Sequence, residues 1–501
     1  MKNKYLVILS FLGIGFGFSQ TVQDALLYSN DVDLGSARYQ AMSGAFGALG
    51  GDLSAINVNP AGSAVFKNSL VAFSLGVNTK ENDAKYFNTQ TNTSTSRLAI
   101  NQGGGVFVLN NTDEESNWKK VTFGLNYQQT QNFDQDYFFA GQSPNSINAY
   151  FLSHANGLAF QDIQILSGEY IEEAYLNIAS QLGYNYQQAF LGYYGGIIDP
   201  EDANDPLGTI YVPTATIDNT VYQEYFYASN GNVGKFNFNV AGQFQDDWYF
   251  GANLNVHTIF TERNSRIREN GYEASSNLEF VVFDNYLRST GAGVSLQAGV
   301  IKKFDNVRLG LSYQSPTWYE IEEEQSQRIN SNLADADIGF INYDLVTIFR
   351  PYRLRTPSNI TASAAVVFAK KGLLSFDYNY KDYNNIKMKP TRDFVTANSF
   401  INNNLTGASS YKIGAEYRVA NWSLRGGYRF EESPYKDTSV IDDLTGFSLG
   451  FGYNFGRTKL DIAYAQTKQD VNHQLYDTGL TNSATVNSTN TNVTATLSYS
   501  F

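Results

Sequence analysis

The feature that most constrains this chain is a two-residue rhythm. Phe447, Leu449, Phe451, Tyr453 and Phe455 alternate with Ser448, Gly450, Gly452 and Asn454. The final residues repeat the pattern: Val493, Ala495, Leu497, Tyr499 and Phe501 against Thr494, Thr496, Ser498 and Ser500. Successive side chains of a strand point to opposite faces, so each segment has one apolar and one polar or small side. Some polar sides carry charge. Leu374, Phe376, Tyr378 and Tyr380 oppose Ser375, Asp377, Asn379 and Lys381. Tyr411, Ile413, Ala415, Tyr417 and Val419 oppose Lys412, Gly414, Glu416 and Arg418.

A soluble sandwich alternates too, and the connections separate the two folds. Strands are predicted near Leu70, Arg97, Lys120, Gly234, Asp247, Asn285, Asn306, Tyr343, Gly372, Ser409, Asn421, Asp443, Arg457 and Asn490. Short turns fall at Asp246-Asp247, Phe304-Asp305-Asn306, Lys370-Lys371-Gly372, Ala420-Asn421 and Gly456-Arg457. Between them lie polar loops of roughly ten to twenty residues, the rhythm of an outer-membrane barrel. A sandwich has no reason to put its long loops at one end. The fold class read here is therefore all-β, a transmembrane antiparallel barrel of about fourteen strands. The expected location is the outer membrane of a Gram-negative bacterium, with outer-membrane lipid around the barrel. An even strand count puts both chain ends on the periplasmic side. The terminal Phe501 fits a recognition signal for the barrel-assembly machinery.

Composition agrees. The chain has 35 Tyr and 35 Phe but 4 Trp, and aromatic residues make up 15% of it. A barrel uses such residues on its lipid face and in its interfacial girdles. A net charge of −13 argues against nucleic acid, whose phosphates need clustered Lys and Arg. Cysteine is absent, which removes disulfides, zinc-cysteine sites and thiol nucleophiles. Lys2 and Lys4 precede an apolar run from Tyr5 to Phe18, so residues 1–19 read as a secretory signal peptide cut before Gln20. Residues 69–501 are assigned to the barrel. Within them, 134–231 is the one very long connection, extracellular by the strand count. Helix-like stretches are expected there over Ser146–Phe160 and Gly168–Leu191.

Candidate chemical motifs are sparse. Gly446-Phe447-Ser448-Leu449-Gly450 matches a nucleophile elbow, but it lies inside an alternating strand with no helix after it. His154, His257 and His473 are far apart in sequence. The acidic Asp199–Asp205 run lacks the Gly and terminal Glu of an EF-hand loop. No catalytic, metal or cofactor site is expected, and no enzymatic activity. Glu416, Arg418, Arg425 and Arg429 are expected to face the lumen, where buried charges pair with one another or guide a ligand carboxylate.

Before the first strand, residues 20–68 are rich in Gly, Ala, Ser and Asn. A lumen this wide must be water-filled or plugged, and a small-residue segment beside the first strand suits an N-terminal hatch. It holds Ala41 to Gly51 (AMSGAFGALGG), then Asn59-Pro60-Ala61-Gly62. With Asp52 upstream, the Asn59-Pro60-Ala61-Gly62 run resembles the hatch signature of the FadL/TodX family of outer-membrane transporters for hydrophobic compounds. Gly310-Leu311-Ser312-Tyr313-Gln314-Ser315-Pro316, Arg355-Thr356-Pro357-Ser358 and Tyr411 to Pro434 resemble the family too. The family's Arg before Ser-Pro is Gln314 here. The resemblance implies a fourteen-stranded barrel with a hatch at Asn59, Pro60, Ala61 and Gly62. It also implies passive uptake of hydrophobic small molecules or lipids, such as long-chain fatty acids or aromatic hydrocarbons. Exit would be sideways, through a wall opening at a kink in the third strand, and the kink is not legible in the sequence. The alternative is a barrel that docks or shuttles proteins for a secretion system or surface assembly.

Overall fold

The computed structural model describes residues 22–501 apart from Glu114, Asp344, Ala369 and Lys370. The expected signal peptide, 1–19, lies outside the described residues. Fourteen antiparallel staves close on themselves. They are β1 (Leu70–Tyr86), β2 (Thr89–Asn110), β3 (Trp118–Asn132, then Gln135–Ser143), β4 (Val221–Phe244), β5 (Trp248–Asn270), β6 (Phe280–Phe304) and β7 (Val307–Gln314, then Trp318–Ser331). Next come β8 (Tyr352–Arg355, then Asn359–Phe368), β9 (Gly372–Asp382), β10 (Gly407–Val419), β11 (Trp422–Glu431), β12 (Leu444–Asn454), β13 (Thr458–Gln474) and β14 (Ser483–Ser500). Closure runs from Leu70↔Ser500 to Lys85↔Thr485.

The alternation sets inside and outside as expected. Leu449 is 57% exposed toward lipid, whereas Ser448 is 2% exposed. Large residues point into hydrocarbon and small polar ones into the lumen, and the pairing of β1 with β14 leaves no backbone edge open at their seam. Trp118, Phe244, Trp248, Phe250 and Phe304 gather at the periplasmic rim, where the Lys302 ammonium sits 4.4 Å from the Trp248 ring centre. Phe501 donates its amide to Ser69 O at 3.0 Å, beside the Phe107 ring.

Several strands start earlier than the sequence suggests. β2 begins at Thr89 rather than Arg97, β4 at Val221 rather than Gly234, and β14 at Ser483 rather than Asn490. The reason is that the staves continue past the bilayer. On β1 the outward face changes from Val71, Phe73, Leu75 and Val77 to Thr79, Glu81, Asp83 and Lys85. Crossing needs only about ten residues; β1 has 17 and β6 has 25. Beyond the bilayer the outward face turns polar, and on Thr89–Ser96 both faces are polar, so hydropathy no longer reports the strand there. The eighth stave pairs with β7 first at Thr347–Ile348 rather than Tyr343, and resumes at Tyr352 after Pro351, which has no N–H to give a ladder.

The 134–231 connection is shorter than expected. Its ends, Gln135–Ser143 and Val221–Ser229, pair with each other as strand. After α1 (Val22–Leu27) and α2 (Ala37–Gln40) of the N-terminal segment, the next helices lie between these ends: α3 (Asn148–Ala155), α4 (Ile171–Gln181) and α5 (Tyr184–Tyr194). Gly183, at φ 103°, breaks the second expected helix into α4 and α5. Phe151, Phe190, Phe283, Ile267 and Ile329 form one buried cluster with residues of β1, β3 and β14, so the loop seals the barrel mouth. The buried Glu269 carboxylate anchors it, accepting from the Ile147 amide at 2.9 Å and Gln223 Nε2 at 2.6 Å.

Candidate substrate lumen

Residues 22–68 lie inside the barrel. Their partners come from inward positions on staves all round the wall. The Ala37 amide donates to Thr496 Oγ1 on β14 (2.7 Å) and the Ser43 amide to Ser448 Oγ on β12 (3.0 Å). The Phe46 and Gly47 amides donate to the Asp377 carboxylate on β9 (2.9 and 2.8 Å). Across the lumen, Asn239 and Asn253 of β4 and β5 donate to Pro60 O (3.0 Å) and Ile56 O (2.9 Å).

Asn59, Pro60, Ala61 and Gly62 are buried against the β4–β6 wall. The Asn59 side chain caps the short 3-10 helix Pro60–Val65 by accepting from the Ala61 amide (3.1 Å). Its amide donates to Gly47 O (2.8 Å) and Val300 O (3.2 Å). The wall admits this turn because it is glycine there. A Cβ at Gly251 would lie 2.4 Å from the Pro60 carbonyl carbon, and one at Gly299 2.1 Å from Asn59 Oδ1. Gly62 is needed for close packing, since a Cβ would sit 3.1 Å from Gly50 Cα.

The four inward charges expected from sequence separate into two groups. Glu416 accepts from Arg425 Nε (2.6 Å), Arg418 Nε (2.7 Å) and Arg38 Nε of α2 (2.8 Å). Arg425 also reaches Asp461 at 2.7 Å, and its side chain is fully buried. This network ties the inner segment to β10, β11 and β13. Arg429 is different: it pairs at 2.8 Å with Asp33 of the inner segment and faces open space.

That space is a cavity of about 420 Å³ between the inner segment and the extracellular cap. Cations line it, including Lys80, Lys235, Lys381, Lys412 and Arg429, together with Phe133, Tyr137, Tyr227 and His473. Lys381 pairs with Asp31 at 2.7 Å and Lys412 with Asp33 at 2.6 Å. Burial by itself raises the Asp33 carboxyl. Lys412 and Arg429 more than offset this and lower it to about 2. Lys235 bonds a neutral partner, Gln314 Oε1 (2.8 Å), at the position where the FadL/TodX resemblance carries Arg. None of Asn59, Pro60, Ala61 or Gly62 lines the cavity, and neither do Glu416, Arg418 or Arg425. The cavity lysines missed in the sequence reading, Lys80, Lys235, Lys381 and Lys412, share one signal, a charge at an inward position of an alternating strand. Lys381 and Lys412 show it plainly.

The wall itself is broken beside this cavity. β3 shifts register between Gln129 and Gln131 and stops at Asn132 before resuming at Gln135. β2 pairs with β3 only from Gln102↔Gln128 to Asn110↔Lys120. Above Gln102, among the described residues, β2 keeps a strand partner only in β1. The upper half of β3 meets β2 through side chains instead: Thr93 Oγ1 donates to Asp136 O (2.6 Å) and Thr95 Oγ1 to Asp136 Oδ2 (2.8 Å). Residues 130–135 at the break line the cavity.

The other motifs are structural. His257 is 3% exposed and its Nε2 lies 2.9 Å from Ser295 Oγ. Asp202 and Asp205 accept from the Asn204 and Leu207 amides (2.8 and 3.0 Å), as turn caps do. Among the described residues no group of His, Asp and Glu is placed to hold a metal ion.

Comparison with known proteins places this geometry. No curated protein matches the sequence. A Pseudomonas aeruginosa FadL homologue superposes with a TM-score of 0.53 at 12% identity, covering 94% of this chain and all of its own. The Pseudomonas putida toluene transporter TodX superposes with a TM-score of 0.52 at 14% identity, covering 94% of this chain and 99% of its own. At such identities these two show a shared fold. A family model, the outer membrane protein transport protein family (OMPP1/FadL/TodX), matches residues 209–501, more than half of the sequence. The chain belongs to the OMPP1/FadL/TodX family of outer membrane transport proteins.

Proposed function

We propose that this barrel takes up amphipathic molecules passively, with residues 22–68 as a hatch and the β2–β3 break as a lateral exit into the bilayer. The carrying observation is that the cavity reaches the break: residues 130–135 belong to both. The ligand class follows from the lining. Phe133, Tyr137 and Tyr227 offer apolar contact, while Lys235, Lys381, Lys412 and Arg429 offer charge. Lys381, Lys412 and Arg429 are paired with Asp31 and Asp33, whereas Lys80 and Lys235 bond the neutral Gln135 and Gln314, so a long-chain carboxylate suits these two lysines better than a bare hydrocarbon. The hatch shields the lumen on the periplasmic side, so a ligand moving down is turned sideways. No step requires chemistry on the ligand, and we read the protein as a transporter without enzymatic activity.

The break can be locked in a chain that has no cysteine of its own. Thr95→Cys with Asp136→Cys joins β2 to the upper half of β3 where their side chains already touch at 2.8 Å. Oxidation should abolish uptake of a fluorescent long-chain fatty acid into cells, and reduction should restore it. Uptake unchanged after complete crosslinking would exclude exit through this break. Copurification of secretion-system subunits with a barrel that takes up no ligand would favour the docking role.

A further inference from the structure

Above the lipid-facing band, the outward charges of the staves are arranged in two ways. On β4 to β7, opposite charges face each other across the ladder: Glu224↔Arg268, Glu262↔Arg288, Arg266↔Asp284 and Arg288↔Glu324. On β8 the pattern reverses. Arg353 stands opposite Lys389 and Arg355 opposite Lys387, in the short strand Lys387–Lys389 that follows β9. Between them Leu354 and Met388 are buried, so all four cations share the outer face. Directly opposite side chains on a sheet are about 5 Å apart, and like charges there repel. The chain as a whole is acidic, at −13, so this basic patch runs against its bias.

Neighbouring carboxylates neutralise it only in part, through Glu320 of β7, which stands directly opposite Arg353. Among the described residues, Glu320 is the only one within ion-pair distance of the four, 3.3 Å from Arg353, and both side chains are well exposed. Asp382, next along β9, is turned into the cap of the 383–385 turn, accepting from the Asn384 amide (3.2 Å) and Asn385 Nδ2 (2.9 Å). The height of the patch is set by its register. Arg355 lies opposite Trp318, the outward aromatic that follows Leu309, Leu311 and Tyr313 on β7. On β8 the outward residue below the patch is Ile360, and Tyr380 is the aromatic beside it on β9. Such aromatics mark the interface. The four cations therefore begin at the headgroup level of the outer leaflet.

We propose that Arg353, Arg355, Lys387 and Lys389 form a binding site for the phosphate groups of an anionic outer-leaflet lipid. Two arginines offer planar forks that match phosphate, and two lysines add mobile charge. A phosphate between the rungs replaces repulsion by four charge-assisted contacts. The balanced ladders on β4 to β7 have no such need. The proposal rests on the outer-membrane placement and is independent of what the lumen carries.

Diphosphorylated lipid A is the probe, read by native mass spectrometry of the barrel purified in neutral detergent. The wild type should retain it, and Arg353→Gln, Arg355→Gln, Lys387→Gln and Lys389→Gln combined should lower retention at least about fivefold. Arg288→Gln, on a balanced ladder, should leave retention unchanged. Glu320→Gln keeps all four cations and frees Arg353, so retention should rise; this arm stands if the fourfold variant fails to fold. Thermal stability gives an independent sign: Lys387→Gln with Lys389→Gln should raise Tm in neutral detergent and lower it with lipid A present. Equal retention by the fourfold variant, equal loss in Arg288→Gln, or displacement of lipid A by equimolar inorganic phosphate would overturn the lipid site.

Discussion

Replacing Glu416 by Gln would test how the inner segment is held. Glu416 accepts from Arg38, Arg418 and Arg425 within 2.8 Å, so the change removes one carboxylate from three guanidinium groups. Their fates differ. The Arg418 side chain is 49% exposed and rehydrates at little cost. Arg425 is fully buried but keeps Asp461 at 2.7 Å. Arg38 is 11% exposed and keeps no carboxylate within ion-pair distance among the described residues, only the Gly51 carbonyl at 3.2 Å and the Phe46 ring, 5.1 Å from its guanidinium carbon. Breaking a buried pair costs about 3–5 kcal/mol. The remaining partners of Arg425 and the exposure of Arg418 put this case near the lower end, about 3 kcal/mol. The loss should divide: modest destabilisation of the barrel, and release of α2 from β10. Urea unfolding in lipid vesicles, followed by tryptophan fluorescence, reads the first. Single-channel conductance in planar bilayers reads the second and should rise. Adding Arg38→Met removes the stranded cation, so it should recover about 1 kcal/mol or more of stability while conductance stays high. A loss under about 0.5 kcal/mol with wild-type conductance would refute the view that this network holds the segment in the lumen.

Further outcomes follow from the same geometry. Leu449→Arg puts a charge in lipid and should cost roughly 2–4 kcal/mol in the unfolding assay; Ser448→Arg should spare the barrel but displace Ser43, its partner at 2.8 Å, and raise conductance. The opposite ranking of stabilities would invert the inside and outside assignment. Cys introduced at Asp202 should react with an impermeant maleimide on intact cells, and Cys at Asn306 should not; labelling of Asn306 alone would reverse the topology. His473 lies in the extracellular extension of β13, with Tyr137, Phe139, Tyr225 and Tyr227 ring centres 5.2 to 5.8 Å away. Burial lowers its pKa to about 4, so the neutral form stabilises this cluster above pH 6.5, and that contribution is lost as pH falls through 6.5 toward 4. About 2 kcal/mol should be gone by pH 5; hydrogen-exchange protection factors of β3 amides, corrected for the intrinsic pH dependence of exchange, should fall between pH 7 and 5 in the wild type and not in His473→Phe, and an equal fall in both would sink the assignment.

How far the fold is legible depends on where a stave meets lipid. β12 to β14 alternate between apolar and small residues because one face is in hydrocarbon and the other is packed on the inner segment. The extracellular stretch Thr89–Ser96 is polar on both faces, so its strand is set by pairing with β1 rather than by hydropathy. The break in β3 left no mark either. Gln128, Gln129, Thr130 and Gln131 are polar throughout, and facing the break is Gly231 of β4, whose carbonyl accepts from the Phe133 amide at 2.9 Å. At φ 122° this glycine passes so close to β5 that a Cβ would lie 2.1 Å from Phe260 O.

The sequence by itself determined the periodicity, the inward side of every alternating stave and the small-residue character of the segment that fills the lumen. These are local properties, carried by neighbours two residues apart. Parity alone turned Glu416, Arg418, Arg425 and Arg429 inward. It could not say that Arg38 would reach Glu416 across 378 residues of sequence, or Asp33 reach Arg429 across 396. Nor could it separate the locked charges from Arg429, which faces the cavity. Those outcomes were decided by the tertiary structure, because closing the barrel brings distant staves within a few ångströms of one another. A buried charge must then pair with whatever that closure delivers.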